Sequence, residues 1–281
     1  MLAMIEPFLK DQKFLDDISA AKHDANSLHL WWLGQSGFLI QWNSRHLLLD
    51  PYLSDSLTQK YATTDKPHVR LTERVIAPER LDFIDVVTSS HNHTDHLDAE
   101  TLVPLMQKNR ALQIVIPETN RAFVAGRLRI DPDKPVGVDD GGTVCVGDFQ
   151  FTGIASAHET VDRDEAGRCK QLGYVIQIGP WKIYHSGDTI RYDGMEARLK
   201  PRAVDVALLP INGRAPERRV AGNLWGREAA QLAHDIGAKL VVPCHYEMFE
   251  FNTASPEEFV VECGRLGQRY AVLRVGERLT F

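Results

Sequence analysis

Residues 89–98 read SSHNHTDHLD and put three of the chain's 11 histidines, with two aspartates, into ten positions. Imidazoles and carboxylates crowded on the spacing H-x-H-x-D-H suit divalent-metal chemistry, because both are ligands for such ions. Upstream, IDVVTSS (84–90) is an apolar run of strand character, and DAETLVPLMQ (98–107) resumes with helical apolar spacing and Asp98 at its N-cap. The cluster therefore occupies a strand-to-helix loop. Side chains alternate along an extended segment, so His91 and His93 can point to one side and chelate one ion. Where the chain turns helical, Asp95 and His96 diverge from them by roughly 100° and can serve a neighbouring ion.

Three more apolar runs of strand character end in a metal-ligand residue type: His158 in IASAHE, Asp188 in YHSGDT and His245 in VVPCHYEMF. A ligand just past a buried strand is held by a rigid scaffold and still faces a cleft. Each of these residues alone has an ordinary structural reading, as a hydrogen-bonded histidine or a turn aspartate. The 91–96 cluster is much harder to read that way, because its spacing and its strand-to-helix context agree.

Working outward, Ile5, Phe8, Leu9, Leu15 and Ile18 recur at near-helical spacing, which predicts an N-terminal helix within 1–25. Short strands follow at 28–33, 36–42 and 45–50, then LQIVIP and a helix near 118–128. A second strand-rich zone covers 136–186. The C-terminal third alternates strand and helix: DVALLPI, GREAAQLAHDIG, KLVVPCH, SPEEFVVECGRLG and YAVLRV. The pattern predicts one α/β domain over 1–281, built from two similar halves (26–135 and 136–281) packed sheet to sheet with helices outside.

The net charge of −6 argues against a dedicated nucleic-acid binder. Charges at Glu6, Lys10, Asp11 and Lys13 interrupt the N-terminal apolar residues, so no signal peptide or membrane span is expected and the expected location is cytoplasmic. Cys145, Cys169, Cys244 and Cys263 form no C-x-x-C pair and are expected to be buried, reduced thiols.

These motifs resemble the metallo-β-lactamase superfamily, whose αββα sandwich carries H-x-H-x-D-H after a strand and then a His, an Asp and a final His. Within it, WWLGQSGFLI, LLLDPYLSD, HSGDTIRYDG, LLPINGR and VVPCHYEMFEFNT look most like the branch related to L-ascorbate-6-phosphate lactonase. The resemblance implies a four-layer αββα fold with two mixed sheets. It also implies that His91, His93 and His158 hold one metal, that Asp95, His96 and His245 hold another, and that Asp188 bridges both. Asp50, in LLLDPY, matches a family aspartate beside the site and is expected to orient a ligand, with His185 as a similar group. Diiron members place a Glu where this chain has His93, so zinc or manganese is expected instead.

Two divalent cations sharing a water would generate hydroxide near neutral pH, and Asp95 could shuttle a proton to the leaving group. The expected activity is hydrolysis of a lactone or related ester, with a phosphorylated small molecule among the candidate substrates. Phosphodiester hydrolysis on the same fold is the alternative, and a non-catalytic metal-binding scaffold is a third reading. Arg214, Arg218 and Arg219 in INGRAPERRVAGN could clamp a phosphate, and Tyr192 and Tyr246 could line the pocket. The competing readings are a solvated charged loop and packing aromatics. A homo-oligomer stays open.

Overall fold

Strands β1 (His29–Gly34), β2 (Gly37–Trp42) and β3 (Arg45–Leu49) form an antiparallel meander. Asn43 and Ser44 turn the β2–β3 hairpin with φ of 46° and 60°, the pair of positive values that matches strand twist. The computed structural model describes residues 4–281. The meander continues through parallel strands β4 (Val86–Thr88), β5 (Gln113–Pro117) and β6 (Val136–Val138). Strand β13 (Arg278–Thr280) closes the other edge against β1, giving the order β13-β1-β2-β3-β4-β5-β6.

The second sheet is the mirror of that plan. Antiparallel strands β7 (Thr143–Val146), β8 (Phe149–Ala155), β9 (Leu172–Ile178) and β10 (Trp181–His185) lead into parallel β11 (Val206–Pro210) and β12 (Leu240–Cys244). Two mixed sheets flanked by helices result, the α/β metallo-β-lactamase fold. The halves are not cleanly separated: β6 and β13 both join the first sheet, although they lie within 136–281.

Side chains on β1 show how the layers are held. Trp31 and Trp32 are adjacent and both fully buried, so they leave by opposite faces of the strand. Trp31 meets Phe14 of α1 (Asp11–Ala21) edge-on at 6.4 Å and donates Nε1–H to Asp17 at 2.8 Å. Trp32 stacks on Tyr246 at 4.2 Å, beyond β12. A strand covered on both faces reads as a continuous apolar run, which is why HLWWLG lacks alternation. Helix α1 buries Phe14, Ile18 and Ala21, a stripe at i, i+4 and i+7.

Helix α2 (Ser56–Tyr61) follows the meander, while α3 (Ala99–Lys108) and α4 (Arg121–Leu128) accompany the parallel part of the first sheet. Asp98 caps α3 by accepting from Glu100 N–H. Helix α5 (Met195–Leu199) and the mutually packed α6 (Gly226–Asp235) and α7 (Glu257–Leu266) belong to the second half. Among the described residues, no helix is long and apolar enough to cross a membrane.

Three expectations need correction. The N-terminal helix starts only at Asp11: Ile5 N–H donates to Leu71 and Phe8 N–H to Val275, so these donors serve neighbouring loops instead of a helix. Residues 1–3 lie outside the described part. YAVLRV forms no strand; within it only Tyr270 makes a bridge, to Val241 of the edge strand β12. Cys145 is exposed, while Cys169, Cys244 and Cys263 are buried free thiols.

Candidate metal centre

The site is built where strands end. The chain leaves β4 into Ser89–His96, leaves β8 toward His158, leaves β10 toward Asp188 and leaves β12 directly into His245. Two cross-sheet ties hold these exits together: Leu172 N–H donates to Ser90 at 3.0 Å, and His245 N–H donates to Gln35 at 2.8 Å. His245 itself sits at φ 64°, a strained conformation for a residue with a Cβ.

Two groups of ligand atoms result. His91, His93, His158 and Asp188 offer atoms within 4.8 Å of one another, and so do Asp95, His96 and His245. Asp188 touches both groups. Its Oδ1 lies 3.2 Å from His96 Nε2, and its Oδ2 lies 3.3 Å from both His158 Nε2 and His245 Nε2. Ligands about 2.0–2.2 Å from an ion are separated from each other by roughly that spacing, so the set fits one or two divalent ions.

Hydrogen bonds behind the ligands fix which ring nitrogen faces inward. The Asp50 carboxylate, fully buried, receives Thr88 Oγ1 at 2.8 Å, Ser90 N–H and the Ser90 hydroxyl, and His96 Nδ1 at 2.8 Å. His158 Nδ1 lies 2.9 Å from the Gly222 carbonyl, and His91 Nδ1 lies 3.0 Å from Ser90 Oγ. With Nδ1 engaged, the buried Nε2 of His91 has no hydrogen-bond partner, and the buried Nε2 of His96 and His158 faces only the Asp188 carboxylate. A buried polar atom without a partner is costly, and a bound cation would engage all three nitrogens.

The electrostatics agree. Burial pushes the His91 imidazole well below its ordinary pKa, helped by the neighbouring His96, His93 and His158, so it is neutral and ligand-ready. Burial opposes charge on Asp188, but His245, His96 and His158 outweigh it and hold the carboxyl well below its usual range. His96 is pulled the other way: burial lowers its pKa, and the Asp188 and Asp95 carboxylates raise it well above the ordinary value. The carboxylates around His96 thus favour positive charge at this spot, the preference a divalent cation would also meet.

The sequence profile described as "Beta-lactamase superfamily domain" matches residues 45–246, well over half of the 281 residues. The chain belongs to the beta-lactamase superfamily. A UPF0173 metal-dependent hydrolase of Archaeoglobus fulgidus is 28% identical over 261 residues, covering 90% of this chain and 99% of the relative. Its counterpart in Methanosarcina mazei is 28% identical over 236 residues, covering 83% of this chain and 89% of that one. Among solved structures, Igni18, a metallo hydrolase from Ignicoccus hospitalis, matches with a TM-score of 0.66 at 22% identity, over 91% of this chain and 99% of that chain.

In this superfamily member the cluster of candidate ligands floors a cavity of about 320 Å³. His93 and Asp95 reach its wall, and Gln35 donates from Nε2 to Asp95 Oδ2 at 2.7 Å and lies 3.0 Å from His245 Nε2. Sequence reading missed Gln35; the signal was its place in the tight LGQSGF turn, where it takes φ 51°. His185 is fully buried beside the site, with Nε2 3.0 Å from the Ser36 carbonyl, and supports the loop that sends Ser36 Oγ to Asp188 at 3.4 Å.

The expected substrate groups lie elsewhere. Arg214 pairs with Glu228 at 2.6 Å, Arg218 donates to the Asn212 and Thr253 carbonyls, and Arg219 pairs with Asp65 at 2.6 Å. None of the three lines the cavity; their loop contributes Val220 and Ala221 instead. Tyr192 donates to the Ala155 carbonyl, and Tyr246 is buried against Trp32 with its hydroxyl on the Leu273 carbonyl. Both tyrosines are packing residues here.

Proposed function

We propose that this chain is a metal-dependent hydrolase that opens a lactone or cleaves a related small ester at a pair of divalent ions. One observation carries it: three buried imidazole nitrogens, Nε2 of His91, His96 and His158, point inward beside the Asp188 carboxylate, with their Nδ1 atoms already engaged behind them. The names of its relatives, metal-dependent hydrolases, support the same class.

His91, His93 and His158 would hold one ion, Asp95, His96 and His245 the other, and Asp188 would be shared. The mixed nitrogen and oxygen donors suit zinc or manganese. Bound there, divalent ions supply the Lewis acidity that brings the pKa of water from about 15.7 to about 7. The chain's own residues do the rest. Asp50 keeps Nδ1 of His96 protonated and its Nε2 facing the site, and the Gly222 carbonyl does the same for His158. Asp95, whose side chain is 15% exposed at the cavity wall, is placed to carry a proton to the leaving oxygen. Gln35 steadies that carboxylate by donating to Oδ2, the oxygen nearest His96 and His245.

A cavity of about 320 Å³ admits a small molecule, which supports a lactone or ester over a polymeric phosphodiester. The stretches resembling the ascorbate-phosphate lactonase branch favour the lactone. Elemental analysis of the purified protein, combined with a panel of lactones, esters and phosphodiesters, tests the reading. Two ions per chain and lactone or ester turnover are expected, and His93→Ala should lose at least 100-fold in rate while keeping its fold, because His93 lies exposed at the cavity. Turnover of diesters alone would remove the lactone assignment. No metal and no turnover would leave a scaffold.

A further inference from the structure

We infer that the substrate presents a flat apolar group to a wall formed by Tyr61, His68 and Phe251. This rests on the hydrolase reading above. The wall belongs to a small hydrophobic cluster separate from the main core: Tyr52, Leu57, Met248 and Phe249 are buried in it, with Tyr61 and Phe251 packed on it and only partly covered. Leu57, Tyr61, His68, Phe249 and Phe251 face the same cavity as the candidate ligands. A cluster that served stability alone would gain most by burying its rings completely. Here two of them, Tyr61 and Phe251, stay partly open and line the cavity.

The rings are mutually locked. His68 stacks on Tyr61 at 4.2 Å and 19°, and meets Phe251 and Phe249 edge-on at 4.6 and 5.2 Å. Behind them, the Arg70 guanidinium sits 5.6 Å over the Tyr52 ring and donates to the Ser54 and Thr72 carbonyls, while Tyr52 Oη accepts Leu57 N–H at 3.0 Å. Burial lowers the basicity of His68 and Nδ1 lies 3.1 Å from the Lys66 carbonyl, so the ring is a neutral member of the wall. Across the cavity, Val220 and Ala221 form an apolar lip. Rings already fixed in place bind a flat partner with little loss of freedom. Arg214, Arg218 and Arg219 are engaged away from the cavity; of the cations that do line it, Arg127 donates to the Asn92 and Leu97 carbonyls and Lys60 lies 5.0 Å over the Tyr61 ring, at the edge of the aromatic wall.

The test measures calorimetric binding of two product-like probes, 3-phenylpropionate and 6-phosphogluconate, to the metal-loaded protein, alongside hydrolysis of the matching phenyl-bearing and phosphosugar lactones. The phenyl probe should bind more tightly, and Phe251→Ala should weaken it about tenfold with unchanged metal content and unchanged phosphogluconate binding. Phe251→Leu, which keeps the packing but loses the flat face, should give about threefold and serves if the alanine variant does not fold. Tighter phosphogluconate binding, equal losses for both probes, or no binding of the phenyl probe would overturn the inference. Binding with the expected pattern but no turnover of either lactone would leave the wall standing and remove the hydrolase reading.

Discussion

Replacing Asp50 with Asn separates two jobs that this carboxylate performs at once. It is fully buried and collects donors from Thr88, Ser90 and His96, the last at 2.8 Å. Burial works against its charge, but the His96 hydrogen bond and the nearby His185 overcome that and keep it ionised. In the metal-free protein the Asp50–His96 contact is a buried ion pair, and breaking such a pair costs roughly 3–5 kcal/mol. Asn keeps one acceptor, so about 3 kcal/mol is expected. With an unfolding entropy near 2.1 cal/mol/K per residue, a chain of this size loses about 5 °C in Tm. In the metal-loaded protein the same change frees the His96 ring to rotate or to take the wrong tautomer, and loss of such a partner lowers metal affinity about 10–100-fold, or roughly 1.4–2.7 kcal/mol. Calorimetry of the metal-free form reads the first quantity. Competition with a chromophoric chelator reads the second. A variant that loses Tm but binds metal as tightly as the wild type would refute the orienting role, and one that changes neither would refute the buried pair itself.

Gly187 stands at φ 59°, and an added Cβ would lie 2.6 Å from Ser90 Cβ; Gly187→Ala should therefore push the serine that serves Asp50 and His91 and weaken metal binding in the chelator assay. Gly194→Ala, at φ 85° in open space, should cost only about 1 kcal/mol in calorimetry and leave metal binding alone. His46 lies far from the ligands in sequence and strand position; burial, with Lys22 nearby, lowers its pKa to about 4. The unfolded chain then takes that proton first, so its contribution is full above about pH 6.5 and declines as the pH falls toward 4, by on the order of 3 kcal/mol. Denaturant titrations from pH 7 to 4 should show a shallower loss for His46→Phe than for the wild type, and parallel curves would refute this.

What the sequence made legible follows from what each feature depends on. The ligand cluster was readable because its residue types are scarce and its geometry is local: H-x-H-x-D-H spans six positions, and His158, Asp188 and His245 each follow an apolar run that is a real strand. Strand register then does the convergence automatically, since β10, β11 and β12 are parallel and end at one rim. The 211–223 loop is the opposite case, since its arginines read either as a solvated charged loop or as a phosphate clamp. A sequence shows charge but not its partner: Arg214 pairs with Glu228, 14 residues on, and Arg219 with Asp65, 154 residues back, both outside the cavity. Tyr61, His68, Phe249 and Phe251 were invisible because an aromatic ring lining a pocket has the same composition signal as one in a core; only the separation of their cluster from the main core distinguishes them. Gln35 lies between these cases. Its turn was flagged by glycines, but its contact with Asp95 joins positions 60 residues apart, through a side chain whose reach depends on a positive φ that no composition rule assigns to glutamine. The chemistry was thus written locally, whereas what the pocket selects is written in contacts between distant loops. For that reason the substrate assignment turns on Phe251 and its neighbours more than on any motif.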